Sequence, residues 1–101
     1  MSNYPFSIPR ARILTLVSKS ERTIAELQKL TGIGRTTIYH HLEELKSMKL
    51  ITEEKKQKEQ GQPVYVALNK ANPLSETFLN LAEQTINLFN KIKKGITNFK
   101  Y

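Results

Sequence analysis

The amino-acid sequence predicts a mainly α-helical domain that carries one β-hairpin, and three observations indicate this fold class. Residues 23–50 have the pattern of two helices joined by a glycine-containing turn. Residues 51–68 contain two strand-like runs on either side of a polar loop. From Asn72 to about Lys94, apolar residues recur at helical spacing. With 101 residues, the chain should form a single small domain.

A capping-box pattern marks the start of the first helix of the pair. Thr23 and Glu26 have the spacing at which each side chain accepts a hydrogen bond from the other residue's backbone N–H. The helix should end near Leu30, because Gly32 and Gly34 follow and glycine accepts the positive φ of a turn.

A second helix should begin at about Arg35 and continue to about residue 48. Ile38, Leu42 and Leu45 fall on one side of it at 100° per residue, which predicts its buried face. The polar side and its flanks consist of Thr36, His40, Glu43, Ser47, Thr37, Tyr39 and Glu44. Hydrogen-bonding groups at the N-terminal end of an outward face are typical of a helix that reads the major groove. Taken alone, the same pattern also fits a helical hairpin with a solvated polar face.

The segment before this pair predicts a further short helix. Pro9 suits the first turn of a helix over RARILTLVSKS, whose N-terminal end is basic. Arg10 and Arg12 would either contact phosphates or remain solvated on the surface. Residues 1–8 are expected to form an arm that packs across the domain or reaches a partner subunit.

Residues 51–56 and 63–68 predict a β-hairpin directly after the second helix of the pair. Val64, Val66 and Leu68 alternate with period two, and Gly61 suits the turn. A hairpin in this place is the wing of a winged helix, here expected over residues 52–66. Its positive charge comes from Lys55, Lys56 and Lys58. These lysines would contact phosphate or the minor groove, or would protect an edge strand from pairing.

The last predicted helix begins with Asn72 as its cap and Pro73 at its first position. It should end near Lys94, with Gly95 just past the end and lysines in the last turn. Its apolar residues cover about half the circumference, more than the stripe of about 100° that packs against one neighbour. Part of this face should therefore meet the same helix of a second subunit. The expected dimer interface consists of Leu74, Phe78, Leu81, Thr85, Leu88, Phe89 and Ile92.

Composition indicates a polyanionic partner. Sixteen Lys plus Arg against nine Asp plus Glu give a formal charge of +7, and the pI is near 9.8. Nucleic acid fits this charge first and an anionic membrane surface second. The C-terminal helix argues against the membrane, because its polar face is rich in Asn, Gln and Glu rather than flanked by lysines.

No metal site or cofactor is expected. The chain has no Cys, which excludes a disulfide, a thiolate ligand and a cysteine nucleophile. His40 and His41 are adjacent on a helix and point about 100° apart, so they cannot chelate one ion within a subunit. The N-terminus lacks the apolar core of a signal peptide, and no apolar run approaches about 18 residues. These features predict a soluble, cytoplasmic protein.

The order of predicted elements resembles that of the winged helix-turn-helix transcription regulators. The similarity is to the small prokaryotic and archaeal ArsR-like group in particular, and more loosely to the TrmB and MarR groups. It is carried by TGIGRTTIYHHLEELKSMKLITEE, a polar glycine-bearing loop, and PVYVAL, within about residues 9–94. The resemblance implies a single domain, 1–101, with the helix-turn-helix and wing in 9–70 and a dimerisation helix in 72–95. It also implies DNA contacts from Arg35, Thr36, Thr37, Tyr39 and His40, with the wing lysines beside them.

The resulting prediction is a homodimeric, sequence-specific transcription regulator that binds double-stranded DNA. Two alternatives stay open: a nonspecific architectural DNA-binding protein, and a winged-helix module that binds another protein. An enzyme is not expected, because the sequence lacks a glycine-rich phosphate loop, metal-ligand spacing and a recognisable acid–base pair. A small-molecule effector, the operator and the direction of regulation are not specified by the sequence.

Overall fold

The computed structural model describes residues 7–56 and 63–98, and for residues 94–98 it describes the backbone only. Its elements are α1 (Ile8–Lys19), β1 (Arg22–Thr23), α2 (Ile24–Thr31), α3 (Arg35–Ser47), β2 (Ile51–Lys55), β3 (Val64–Leu68) and α4 (Pro73–Asn98). The predicted order of helices and hairpin is confirmed. Residues 1–6 of the expected arm, the loop 57–62 with Lys58 and Gly61, and residues 99–101 lie outside the described residues.

Local sequence signals determine where α1 begins and where α2 begins and ends. The Ser7 hydroxyl accepts a hydrogen bond from the Arg10 backbone N–H at 3.3 Å and caps α1. The predicted capping box of α2 is present: the Thr23 Oγ1 accepts from the Glu26 N–H at 3.1 Å, and Glu26 Oε1 accepts from the Thr23 N–H at 2.8 Å. Gly32 ends the helix with φ of 73°, a left-handed conformation that favours glycine.

Helix α3 packs its predicted apolar stripe into the core. The side chains of Ile38, Leu42 and Leu45 are buried, and Ile33 from the preceding turn packs against the same cluster. The polar side of α3 therefore faces away from the core, as the periodicity predicts. These contacts fix which side chains the helix can present to a partner.

The sheet has three antiparallel strands in the order β1-β3-β2. The hairpin pairs Ile51 with Leu68 at one end and Lys55 with Val64 at the other. Strand β1 pairs Thr23 with Tyr65 and was not predicted, because two residues are too few to show an alternating pattern. This pairing holds the start of α2 beside the hairpin.

A polar junction joins the end of α3 to the start of α4. The Lys49 carbonyl accepts hydrogen bonds from the Asn69 and Asn72 side-chain amides, both at 2.9 Å. The Ser75 hydroxyl is buried and donates to the Asn69 carbonyl at 2.7 Å. The Asn72 side chain also accepts from the Leu74 N–H at 3.0 Å, which confirms the predicted cap of α4. These bonds fix the direction in which α4 leaves the domain.

Helix α4 packs along α1 through one part of its apolar face. Ala82 is buried, and Phe78, Leu79 and Ile86 are partly buried against the core. The expected end near Lys94 is wrong, because the helix continues through Gly95 to Asn98 and its last turn holds no basic residue. Glycine inside a helix costs only about 1 kcal/mol relative to alanine, too little to force an end. Within the described ranges, none of the helices has the length and apolar character to cross a bilayer.

Candidate nucleic-acid interface

The N-terminal half of α3 presents the residues that the sequence predicts to meet DNA. Arg35, Thr36, Thr37, Tyr39 and His40 are all exposed to solvent. Tyr39 is 41% exposed although its side chain is large and aromatic. All five candidates thus lie outside the buried stripe of α3, on its polar side and flanks, at the end of the helix that enters a groove in proteins of this architecture.

Arg35 and Tyr39 form a stacked pair one helical turn apart. The Arg35 Cζ lies 5.7 Å from the centroid of the Tyr39 ring, within the range of a cation–π interaction. Arg35 Nη2 also donates a hydrogen bond to Tyr39 Oη at 3.4 Å. The guanidinium is therefore held at the N-terminal end of the exposed face.

Two shallow grooves flank the Tyr39 ring. One, of about 270 Å³, lies between α3, the start of α2 and β3; it is lined by Thr23, Ile24, Ala25, Arg35, Tyr39, Pro63 and Val64. The other, of about 230 Å³, runs along α3 and is lined by Thr36, Tyr39, His40 and Glu43. The α3 face is thus continuous with the base of the hairpin, which we call the wing.

The wing lysines differ in their surroundings. Lys55 is exposed, whereas Lys56 is partly buried and forms an ion pair with Glu21, in the segment between α1 and β1. The Lys56 Nζ also lies 4.7 Å from the Tyr65 ring centroid. The hydrogen bond to Glu21 raises the pKa of Lys56. The Lys56 ammonium is therefore already paired, and a DNA phosphate would have to compete with the Glu21 carboxylate for it.

Lys46 fastens the C-terminal part of α3 to the wing, a role that the sequence does not reveal. Its Nζ lies 3.0 Å from a Glu53 carboxylate oxygen and 3.8 Å from one of Glu43. The hydrogen bond to Glu53 is the main cause that raises the pKa of Lys46. Glu53 lies seven residues away on β2, so only the turn between the elements brings the pair together.

His41 and Arg10 connect α3 to α1. Arg10 Nε donates to His41 Nδ1 at 3.2 Å, and both side chains are partly buried. Burial, and then the charge of Arg10, lowers the pKa of His41, with a smaller contribution from His40. The sequence left Arg10 as a phosphate contact or a solvated surface charge, and it predicted no specific contact for His41. The structure instead shows a hydrogen bond between them, because the fold places residue 10 against residue 41.

The outer side of α4 carries an exposed apolar stripe. Leu74 and Ile92 are 55% and 54% exposed, and Leu81, Leu88 and Phe89 are between 37% and 45% exposed. Phe78 and Thr85 lie at intermediate exposure along the same side. The stripe repeats with alternating steps of four and three residues at positions 74, 78, 81, 85, 88 and 92. Alternating steps of four and three are the spacing at which one helix packs along another.

The fold and the exposed α3 face define a class of protein, the small winged helix-turn-helix proteins. The pattern of this class is also present in the sequence, since residues 9–53 match the model of the bacterial regulatory protein, arsR family. That segment covers α1, β1, α2, α3 and the start of the wing. The resemblance to ArsR-like regulators is thereby confirmed for the helix-turn-helix.

Solved structures share the fold over nearly the whole chain. A PadR family transcription regulator from Clostridium difficile R20291 superposes with a TM-score of 0.70, at 18% identity over 90% of this chain and 99% of its own. The protein smu.1704 of Streptococcus mutans UA159 superposes with a TM-score of 0.75, at 18% identity over 99% of this chain and 97% of its own. A Thermoplasma acidophilum protein assigned as a transcriptional regulator superposes with a TM-score of 0.70, at 24% identity over 93% of this chain and 94% of its own. No curated protein matches the chain by sequence.

Proposed function

We propose that this protein is a homodimeric, sequence-specific DNA-binding transcription regulator that acts in the cytoplasm. Helix α3, over about residues 35–48, would lie in the major groove, and the wing, over residues 52–66, would contact the backbone or the minor groove. The observation that carries the proposal is the exposed cluster from Arg35 to His40, placed beside the wing. The match of residues 9–53 to a family of regulatory proteins supports the same assignment.

Electrostatics supports a nucleic-acid partner. The formal charge of +7 favours attraction to a phosphate backbone before any specific contact forms. Lys55 and Arg35 are exposed near the two ends of the proposed contact surface. In such a complex, basic side chains on phosphates supply most of the affinity, and contacts from α3 to base edges supply the specificity.

The apolar stripe of α4 supports a dimer as the active form. Five large apolar side chains of this stripe are exposed in the single chain, although α4 already packs against α1 with its other side. Contiguous exposed apolar surface of this kind is typical of an interface between proteins. A two-fold dimer would place two copies of α3 in successive major grooves about 34 Å apart, on a nearly palindromic site.

The experiment is a selection of bound sequences from random duplex DNA, followed by binding measurements on the selected site over a range of salt concentrations. We expect a specificity ratio of about a thousand or more over unrelated duplex DNA. We also expect affinity to fall steeply with salt, because each neutralised phosphate releases counterions. A ratio near one would indicate an architectural protein instead. Failure to bind any duplex would favour a protein-interaction module.

A further inference from the structure

We infer that Arg35 reads a guanine in each half-site, and that Tyr39 is the positioning residue that orients the Arg35 guanidinium for this contact. The inference rests on the proposed DNA-binding function and specifies a base that the site would contain. It follows from the geometry of the stacked pair, the charges next to it and the access to the end of α3.

The contact with Tyr39 restricts the Arg35 side chain but uses only one of its hydrogen-bond donors. The Arg35 Cζ lies over the Tyr39 ring, 5.7 Å from its centroid, and Tyr39 Oη accepts one hydrogen bond from Nη2 at 3.4 Å. Within residues 7–56 and 63–98, no carboxylate forms an ion pair with Arg35. The guanidinium is a planar fork with five N–H donors. Since Tyr39 takes only one of these donors, an edge of the fork is available to a ligand while the cation–π contact and the hydrogen bond restrict the side chain.

The charges on the same face favour base edges over phosphates as its target. Glu43 and Glu44 are exposed on α3, and a phosphate strand along this face would be repelled by their carboxylates. Glutamate can, however, accept a hydrogen bond from the amino group of cytosine in the major groove. The arginine fork can pair bidentately with a phosphate as well as with a guanine edge, so these carboxylates are what favour the base edge as its target.

The N-terminal end of α3 is open enough for close approach. Arg35 is the first residue of the helix, and the cap before it is Gly34. A Cβ atom added at Gly34 would have no heavy atom within 4 Å, so this end is not enclosed by the protein. Thr36 and Thr37 are small and exposed beside it. The arginine, which is the longest side chain of this turn, would reach the floor of the groove first.

Guanine is the base that matches the fork. It presents two hydrogen-bond acceptors, O6 and N7, side by side in the major groove, and a bidentate arginine is the commonest specific contact to it. Adenine presents an acceptor beside an amino donor, which an arginine cannot pair with twice. The stacked Arg35 would therefore discriminate between the two purines.

The test uses the full chain and the duplex selected by the wild-type protein. We expect one guanine per half-site whose replacement by 7-deazaguanine, which lacks the N7 acceptor, weakens wild-type binding about tenfold. Arg35→Gln and Tyr39→Ala should lose the preference for guanine at that position, because glutamine pairs with adenine rather than with guanine. Tyr39→Phe should keep part of it, because the cation–π contact remains although the hydrogen bond to Oη is lost. The analogue experiment needs no variant and is independent of any effect of substitution on folding.

The outcomes separate this inference from the function on which it rests. If Arg35→Gln leaves every base preference unchanged, or if 7-deazaguanine has no effect on wild-type binding, the reading of guanine is wrong while DNA binding stands. If Arg35→Ala weakens all duplexes equally and lowers the salt slope by about one, Arg35 contacts a phosphate instead. If the wild-type protein binds no duplex, the proposed function itself fails.

Discussion

The hydrogen bond from Arg10 Nε to His41 Nδ1, 3.2 Å long, is a direct side-chain link between α1 and the helix proposed to read DNA. It requires an unprotonated Nδ1, because a protonated nitrogen cannot accept. Protonation of His41 would also place a second positive charge beside the guanidinium. The stability of the domain should therefore depend on the charge state of this histidine.

We expect the free energy of unfolding to fall as the pH is lowered from about 7.5 to about 5. The pKa of His41 is lowered in the folded protein by burial and by Arg10, so the unfolded chain takes up the proton more readily. Stability is then lost as the pH falls through the ordinary histidine value of about 6.5 toward the lower folded value. Urea denaturation at several pH values measures this loss. His41→Gln should reduce the dependence, and an equal reduction in His40→Gln would contradict the assignment.

Glu21→Gln should strengthen binding to duplex DNA. The substitution removes the carboxylate that pairs with Lys56 and leaves the lysine at the base of the wing available to a phosphate. One additional phosphate contact should steepen the salt slope by about 0.9. The measurement is fluorescence anisotropy over a salt series. Glu83→Gln, on α4, makes the same change in charge without touching Lys56, and equal effects of the two variants would exclude a specific role for the pair.

The double substitution Leu81→Gln and Leu88→Gln should convert a dimer to a monomer. Both side chains are exposed on the outer stripe of α4, at 38% and 45%, so their loss should not disturb the core of the single chain. Sedimentation equilibrium gives the mass, and circular dichroism checks the fold. Leu30→Gln, on α2 and 52% exposed, is the matched control and should remain dimeric. A monomeric wild-type protein, or an unchanged dimer in the double variant, would refute the proposed interface.

Lys49→Gly should stabilise the fold. Lys49 has φ of 60°, and the left-handed conformation costs a non-glycine residue roughly 1–2 kcal/mol. Glycine relieves this cost but loses about 0.4–1 kcal/mol through the greater freedom of the unfolded chain. The net gain should be about 0.5 kcal/mol in urea denaturation. Lys49→Val should destabilise, and Lys70→Gly, in a turn without positive φ, should not stabilise; equal effects of the two glycine variants would contradict the explanation.

The apolar spacing in α4 predicts the width of its apolar face but not which part of that face packs against α1. The sequence predicts that its apolar face is too wide for one neighbour, and the structure confirms that α1 covers only part of it. Periodicity could not assign Ala82 to the inner side and Leu81 to the outer side, because both belong to the same broad stripe. That division depends on where α1 lies, which is a property of the packed domain.

The sequence alone determined the features that depend on near neighbours along the chain. The capping box of Thr23 and Glu26, the turn at Gly32, the buried stripe of α3 and the alternation in β3 all follow from interactions within a few residues. The exposure of the five α3 candidates was also predictable, because none of them falls on the buried stripe of Ile38, Leu42 and Leu45. The tertiary structure decided the partners that are far apart in sequence. Lys56 meets Glu21 over 35 positions and Arg10 meets His41 over 31, and no local pattern encodes such pairs, because their contact exists only once the helices and the wing have packed together.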